Sequence, residues 1–205
     1  MQYKEHWENI YTSRTEEEVS WFQLYPKTSI EFVELFNLPL TANIIDIGGG
    51  DSHFVDALIE KGFQNIWVLD ISAAALERVK RRLGSKALRV HWIVSDVTEF
   101  VPPVQFDFWH DRAAFHFLTT NENIYKYVAL AEEAIKKDGY LVLGTFSEQG
   151  PGKCSGLDIK QYSEASMSAR FEIAFERIKC IREDHITPGN IKQSFLFCSF
   201  KKTSY

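Results

Sequence analysis

The sequence has few cysteines, no long apolar run and no excess of positive charge. Its three cysteines among 205 residues show no CxxC spacing, so we expect neither a disulfide framework nor a zinc cluster or other metal site, and a reducing, cytoplasmic setting fits. The longest aromatic and apolar run, at 194–200, is far shorter than the roughly 20 residues that span a bilayer. The first residues carry no apolar leader. The sequence therefore predicts a soluble, unexported protein with no membrane partner.

The charge balance is slightly acidic. There are 23 basic and 28 acidic residues, which gives a formal net charge of -5. Because no overall positive field would attract phosphates, a nucleic acid is not expected as a partner. The length is that of one domain, and we predict a single domain over 1–205, with an N-terminal cap at 1–38 and a core at 40–205.

After residue 40, short apolar runs alternate with segments of helical periodicity. Three helices are predicted at 52–61, 72–83 and 121–137. The predicted strands lie at 43–47, 66–70, 89–94, 106–110 and 140–146. This alternation is typical of βαβ units, so the sequence predicts an α/β fold with a doubly wound, mainly parallel sheet.

The two ends of the chain depart from this alternation. A helix at 163–177 and strands at 178–186 and 192–201 are predicted, and the turn Thr-Pro-Gly-Asn at 187–190 favours an antiparallel hairpin between those strands. The sheet would then have seven strands. The segment 1–38 is aromatic and helical in places, without a strand, as expected of a helical cap.

The most specific motif is a glycine turn between the first strand and the first helix. Asp46 precedes Gly48, Gly49 and Gly50, and glycine lets a backbone approach a ligand closely. A dinucleotide fingerprint would require Gly or Ala where His53 stands, which disfavours a pyrophosphate site. Asp46 would repel a pyrophosphate and attract an ammonium group.

Two further acids, Asp70 and Asp96, end the next two predicted strands. Ligands of open α/β sheets bind beyond the carboxyl ends of the strands, so both acids should face one crevice with the glycine turn. A carboxylate after the second strand can accept from ribose hydroxyls, and one after the third can accept from an adenine amine. The alternative is that each Asp only caps the turn that follows it.

This combination resembles the class I S-adenosylmethionine-dependent methyltransferases. The residues that carry the resemblance are Asp46, Gly48, Gly50, Asp70 and Asp96, and the order of elements over 40–201 is similar to that family's seven-stranded sheet. Ser52 stands where the family often has a third glycine.

The resemblance implies S-adenosyl-L-methionine as cofactor and S-adenosyl-L-homocysteine as product. It implies that the glycine turn approaches the methionine part, that Asp70 holds the ribose, and that Asp96 and Val97 contact the adenine. The cofactor-binding residues it suggests are Asp46, Gly48, Gly49, Gly50, Asp70, Ile71, Asp96, Val97, His110 and Trp21.

Candidate catalytic residues follow the fourth strand, where the methyl group lies in this family. Asp111, His110 and His116 could orient or deprotonate an acceptor. Residues 111–113 are similar to the Asp-Arg-Gly segment of thiopurine-type and protein-lysine methyltransferases, with Ala113 in place of glycine. The alternative is that Asp111 pairs with Arg112 and that His116 lies on a helix face.

The leading hypothesis is a methyltransferase that acts on a small molecule, with a protein lysine as the alternative acceptor. More distant alternatives are an NAD-dependent oxidoreductase and a non-catalytic nucleotide-binding module. The identity of the acceptor and the oligomeric state are left open by the sequence.

Overall fold

A seven-stranded sheet forms the centre of the protein. The structure is a computed structural model that describes residues 2–203. Its strands are β1 (Asn43–Ile47), β2 (Asn65–Asp70), β3 (Val90–Val94), β4 (Phe106–Arg112), β5 (Ile135–Phe146), β6 (Lys153–Cys154), β7 (Leu157–Asp158), β8 (Phe175–Ile186) and β9 (Lys192–Lys202). The order in the large sheet is β3-β2-β1-β4-β5-β9-β8, while β6 and β7 form a separate short hairpin. Strands β1 to β5 are parallel and β9 is antiparallel to both its neighbours, which confirms the predicted fold class.

Six α-helices accompany the sheet in the described part of the chain. They are α1 (Gln2–Ser13), α2 (Lys27–Leu35), α3 (Phe54–Glu60), α4 (Ala73–Leu83), α5 (Asn121–Ala134) and α6 (Glu164–Phe171). Residues 2–38 contain α1 and α2 and no strand, as predicted for the cap. Within residues 2–203, no helix is long and apolar enough to cross a membrane.

The sheet is buried on both faces, because successive side chains of a strand point to opposite sides. Ile44 belongs to a core cluster that includes residues of α2, α3 and α4, whereas Ile45 belongs to a second cluster with residues of α5 and α6. Helices therefore cover each face and leave the carboxyl ends of the parallel strands for a site.

The predicted helix at 121–137 ends early. Helix α5 stops at Ala134, and β5 begins at Ile135, which pairs with Phe106. The register then shifts, and Asp138 takes the left-handed conformation with a φ of 63°. Periodicity alone could not show this irregularity, which lets pairing with β4 begin before Gly139.

The predicted helix at 163–177 is also too long. Helix α6 ends at Phe171, and β8 begins at Phe175, which pairs with Lys202 of β9. Pairing with a strand distant in sequence therefore overrides the local helical pattern.

The expectation of no disulfide was wrong. Cys180 and Cys198 are directly opposite each other in β8 and β9, with Cα atoms 4.1 Å apart, and they form a disulfide. The cysteine spacing shows this pairing only once the register of the hairpin is known. Cysteine usage therefore no longer supports the reducing compartment that the sequence predicted. Cys154 is a buried free thiol.

Candidate functional site

A cavity of about 1060 Å³, including solvent at its mouth, lies at the carboxyl ends of the parallel strands. Several of the residues predicted to bind the cofactor line it together: Trp21, Gly48, Asp70, Ile71, Asp96 and Val97. The other predicted residues, Asp46, Gly49, Gly50 and His110, are not among the lining residues. The reversal of strand order on either side of β1 places the cavity at the switch point of the sheet, where such folds bind ligands.

The glycine turn has two positions that only glycine takes easily. Gly48 and Gly50 have φ values of 62° and 51°. A Cβ on Gly48 would lie 2.5 Å from the Cβ of Ala114, and a Cβ on Gly50 would collide with the hydroxyl of Tyr11. Gly48 therefore faces the cavity wall, while Gly50 lies against the cap.

Asp70 stands at the end of β2 and is held by backbone groups. Its Oδ2 accepts from the Gly50 N–H at 2.8 Å, and its Oδ1 accepts from the Ser72 N–H at 2.8 Å. Burial raises the pKa of Asp70 from its ordinary 3.8 to about 7, although those hydrogen bonds lower it. Each oxygen keeps a lone pair that can accept from a hydroxyl group of a ligand.

Asp96 follows β3 and combines the two roles considered from the sequence. Its Oδ1 accepts from the backbone N–H and the hydroxyl of Thr98, both at 2.8 Å, so it does cap the following turn. It also lines the cavity, together with Val97 and Thr98.

Asp46 lies behind the turn in a buried chain of hydrogen bonds. Nδ1 of His110 lies 2.7 Å from Oδ1 of Asp46, and its Nε2 lies 2.8 Å from Oγ of Ser29 on α2. Because all three residues are buried, this Ser-His-Asp arrangement is closed to a substrate and connects α2 to the core. Both nitrogens of His110 are occupied.

Asp111 does not reach the cavity either. One carboxylate oxygen accepts from the N–H groups of Ala114 and Phe115, at 2.9 and 3.1 Å, and the other accepts from the Tyr127 hydroxyl at 2.7 Å. Burial raises the pKa of Asp111 to about 6, although these hydrogen bonds lower it. Its contacts are those of a residue that fixes the turn after β4.

His116 is buried behind the cavity wall. Its Nδ1 accepts from the Phe146 N–H at 3.3 Å. Burial, with a smaller effect from Arg112, lowers the pKa of His116 to about 3, so the ring is neutral at ordinary pH and a weak base.

The cap is attached to the core by charged contacts. The carboxylate of Glu8 in α1 accepts from the N–H groups of Ala73 and Ala74 at 2.7 and 3.0 Å, at the positive end of the α4 dipole. Arg78 of α4 forms an ion pair with Asp51 and donates to the Tyr11 carbonyl.

Aromatic rings of the cap also line the cavity. The rings of Trp7, Tyr11 and Trp21 pack against one another, edge to face or tilted.

A second side of the cavity is formed by residues of β4, β5, β6 and β9. Arg112, at the end of β4, donates from Nη1 to the Trp21 carbonyl at 2.9 Å, and its guanidinium lies 4.9 Å from the centre of the Phe195 ring. Phe146, Cys154 and Gln193 also line this side. Burial raises the pKa of Cys154 to about 11, so its thiol is protonated and a poor nucleophile.

We call these sides the Asp70 half (Gly48, Asp70, Ile71, Asp96 and Val97) and the Arg112 half (Arg112, Phe146, Cys154, Gln193 and Phe195). Sequence reasoning missed Arg112 as a lining residue because β4 was predicted to end at 110. It also missed Glu8, whose partners are distant in sequence.

Comparison with known proteins agrees with this geometry. The sequence model of a methyltransferase-domain family matches residues 44–139, which include β2 to β4, α5 and all of β1 except Asn43. The mouse EEF1A lysine methyltransferase 2 is 31% identical over 86 residues, which are 36% of this chain and 34% of that protein. The chain thus matches about a third of the length of this relative.

Solved structures share the fold over most of the chain. The N-methyltransferase NodS from Bradyrhizobium japonicum, in complex with S-adenosyl-L-homocysteine, has a TM-score of 0.69 at 16% identity and covers 89% of this chain and 90% of its own. The Burkholderia thailandensis 1,6-didemethyltoxoflavin-N1-methyltransferase has a TM-score of 0.68 at 18% identity. The match covers 96% of this chain and 82% of that protein. The resemblance to class I methyltransferases is therefore confirmed, by the family model over 44–139 and by the Rossmann-like methyltransferase fold.

Proposed function

We propose that this chain transfers a methyl group from S-adenosyl-L-methionine to a small-molecule acceptor. The observation that carries the proposal is the meeting of Gly48, Asp70 and Asp96 in one cavity at the switch point of the sheet. The solved neighbours with S-adenosylhomocysteine and the methyltransferase-domain match support the same activity.

The Asp70 half fits the parts of this cofactor. The two oxygens of Asp70 can each accept from one ribose hydroxyl, while the backbone at Gly48 has no side chain to obstruct the methionine part. Asp96 and Val97 provide an acceptor and an apolar surface for the adenine.

When bound, the cofactor supplies an activated methyl group on a sulfonium, so the protein mainly has to align an acceptor and exclude water. The aromatic rings of Trp7 and Trp21 in the cap exclude water from above. Asp111 shapes the wall through Ala114 and Phe115. Proton transfer by Asp111, His110 or His116 stays a prediction, and their buried contacts favour positioning.

A protein lysine is the second candidate acceptor, because part of the chain is similar in sequence to EEF1A lysine methyltransferase 2. An NAD-dependent oxidoreductase and a non-catalytic module stay distant alternatives. A cytoplasmic location also stays a prediction.

The test has two parts. Calorimetry with S-adenosylhomocysteine, S-adenosylmethionine and NAD should show binding of the first two, and binding of NAD alone would refute the proposal. Transfer of a labelled methyl group to a cell extract, split by size into metabolites and proteins, should label the metabolite fraction. Label only in the protein fraction would favour the lysine alternative, and binding without any transfer would favour the non-catalytic module.

A further inference from the structure

The guanidinium of Arg112 is only partly used by the protein. Nη1 donates to the Trp21 carbonyl, but Nε and Nη2 are buried and have no hydrogen-bond partner among the described residues. These two nitrogens form the side edge of the guanidinium, which can hold a carboxylate or similar oxyanion with two parallel hydrogen bonds. A buried donor without a partner is costly, and a buried charge without one is more so.

Glu183 does not complete this pair. Its charge raises the pKa of Arg112, but no hydrogen bond or ion pair joins the two side chains among the described residues. Oε1 of Glu183 accepts from Gln23 Nε2 at 3.2 Å, and its Oε2 is buried without a partner in residues 2–203. Burial lowers the pKa of Arg112 only to about 10, so the guanidinium stays charged at neutral pH. The guanidinium of Arg112 is therefore a cation beside the cavity whose Nε and Nη2 have no hydrogen-bond partner in residues 2–203.

The surroundings of Arg112 indicate the shape of the group that would pair with it. Phe146 and Phe195 pack against each other edge to face, with ring centres 4.7 Å apart, and form one apolar corner of the cavity. Trp21 lines the cavity on the side toward the cap. Gln193 adds a buried amide oxygen that has no partner in residues 2–203. Among the described residues that line the Arg112 half, none is a carboxylate that could receive an ammonium group.

We propose that Arg112 selects the methyl acceptor: it binds a carboxylate or similar oxyanion carried by a flat, apolar small molecule that lies against Phe146, Phe195 and Trp21. This inference rests on the proposed methyl transfer and makes it more specific. The positive charge of Arg112 attracts an anionic acceptor and repels the ammonium form of a lysine side chain. Arg112 thus determines specificity, and the Asp70 half holds the cofactor.

The test uses three probes of one shape and different charge: benzoate, benzamide and benzamidine. Each is titrated into protein saturated with S-adenosylhomocysteine, at constant ionic strength, and the melting temperature is followed. We expect benzoate to raise the melting temperature at concentrations about tenfold lower than benzamide, because charge-assisted hydrogen bonds are stronger than neutral ones. Benzamidine should have no effect.

Variants of Arg112 test whether this residue causes the preference for benzoate over benzamide. Arg112→Gln should abolish the difference between benzoate and benzamide, and Arg112→Lys should reduce it, since lysine keeps the charge but loses the two-pronged edge. Arg177→Gln, at a half-exposed arginine on β8, serves as the matched control and should keep the difference. Affinity for S-adenosylhomocysteine shows whether each variant is folded, and Arg112→Lys carries the test if Arg112→Gln does not fold.

The outcomes separate the two proposals. No binding of S-adenosylhomocysteine to the parent protein refutes the proposed function. If that ligand binds, an equal response to the three probes, no response to any of them, a preference for benzamidine, or an unchanged preference in Arg112→Gln and Arg112→Lys overturns the role of Arg112.

Discussion

The Asp70 half and the Arg112 half of the cavity are built by different means. The Asp70 half consists of backbone turns after parallel strands, and its acids are fixed by N–H groups of the same turns. The Arg112 half consists of side chains from β4, β5, β6 and the antiparallel β9. A turn of fixed backbone suits one constant ligand, whereas side chains can be exchanged without rebuilding the fold. We infer that the first half holds the cofactor and the second sets the choice of acceptor.

A substitution of Gly48 should have the largest effect on cofactor binding by the Asp70 half. In Gly48→Val, the new side chain would strike Ala114 and take a left-handed φ, so affinity for S-adenosylhomocysteine should fall by about 10³-fold or more, beyond the detection limit of calorimetry. Gly84→Val is the matched control, because Gly84 also has a positive φ but no atom within 4 Å of the added Cβ. Equal binding by both variants would show that Gly48 does not face the cofactor.

Asp70 should give the next largest effect. Asp70→Asn removes the charge that we propose accepts from the ribose, so affinity for S-adenosylhomocysteine should fall by about tenfold to a hundredfold at pH 8. Asp158→Asn, at an exposed carboxylate, is the control.

The affinity should also depend on pH through Asp70. Its pKa is raised to about 7, and ribose hydroxyls favour the ionised form, so binding must release a proton below that value. Affinity should therefore rise from pH 6 to pH 8 and then level off, and Asp70→Asn should be flat over that range. In the absence of ligand, the raised pKa means that the folded state is favoured while Asp70 is protonated and loses this advantage as the pH rises through about 7. A parallel pH dependence in Asp70→Asn would assign the titration to another group.

Asp111 should affect turnover least. Because its carboxylate is occupied by Tyr127 and two backbone N–H groups, Asp111→Asn should lower the free energy of unfolding by about 1 to 3 kcal/mol and change turnover only a few-fold. Chemical denaturation and the labelled-methyl assay measure the two effects. Tyr127→Phe, alone and combined, should show non-additive destabilisation if the pair acts as a unit. A turnover loss of about 10²-fold without destabilisation would instead make Asp111 a general base.

Much of the Asp70 half could be predicted because the residues that form it lie close to the strand ends in the sequence. Strand, turn and acid follow one another within a few residues, and the parallel sheet brings the strand ends together. The Arg112 half depends on where β4 ends. The strand continues to Arg112, so Asp111 lies inside the sheet against Tyr127, and Arg112 stands at the edge. An error of two residues in the predicted end of β4 therefore places Asp111 instead of Arg112 where a ligand can bind.

The contacts of the cap and the hairpin could not be predicted for a related reason. Glu8 meets Ala73, and Cys180 meets Cys198, only after distant segments have docked in register. The contact of Glu8 has no signature in its own neighbourhood of the sequence, whereas the turn at 187–190 predicts the hairpin of the cysteines but not its exact register. The buried link between Ser29 and His110 is of the same kind.

The Cys180–Cys198 disulfide gives the end of the chain a property that hydrogen bonds alone would not provide. It joins the two strands of the hairpin on either side of the turn at 187–190, whose residues 188–190 are exposed, with a sequence separation of 18. A protease that cuts this turn leaves both fragments covalently attached, so Phe195 remains beside Arg112 after the cut. Without a reducing agent, such a nicked protein migrates as one chain on a denaturing gel, and with one it separates into two.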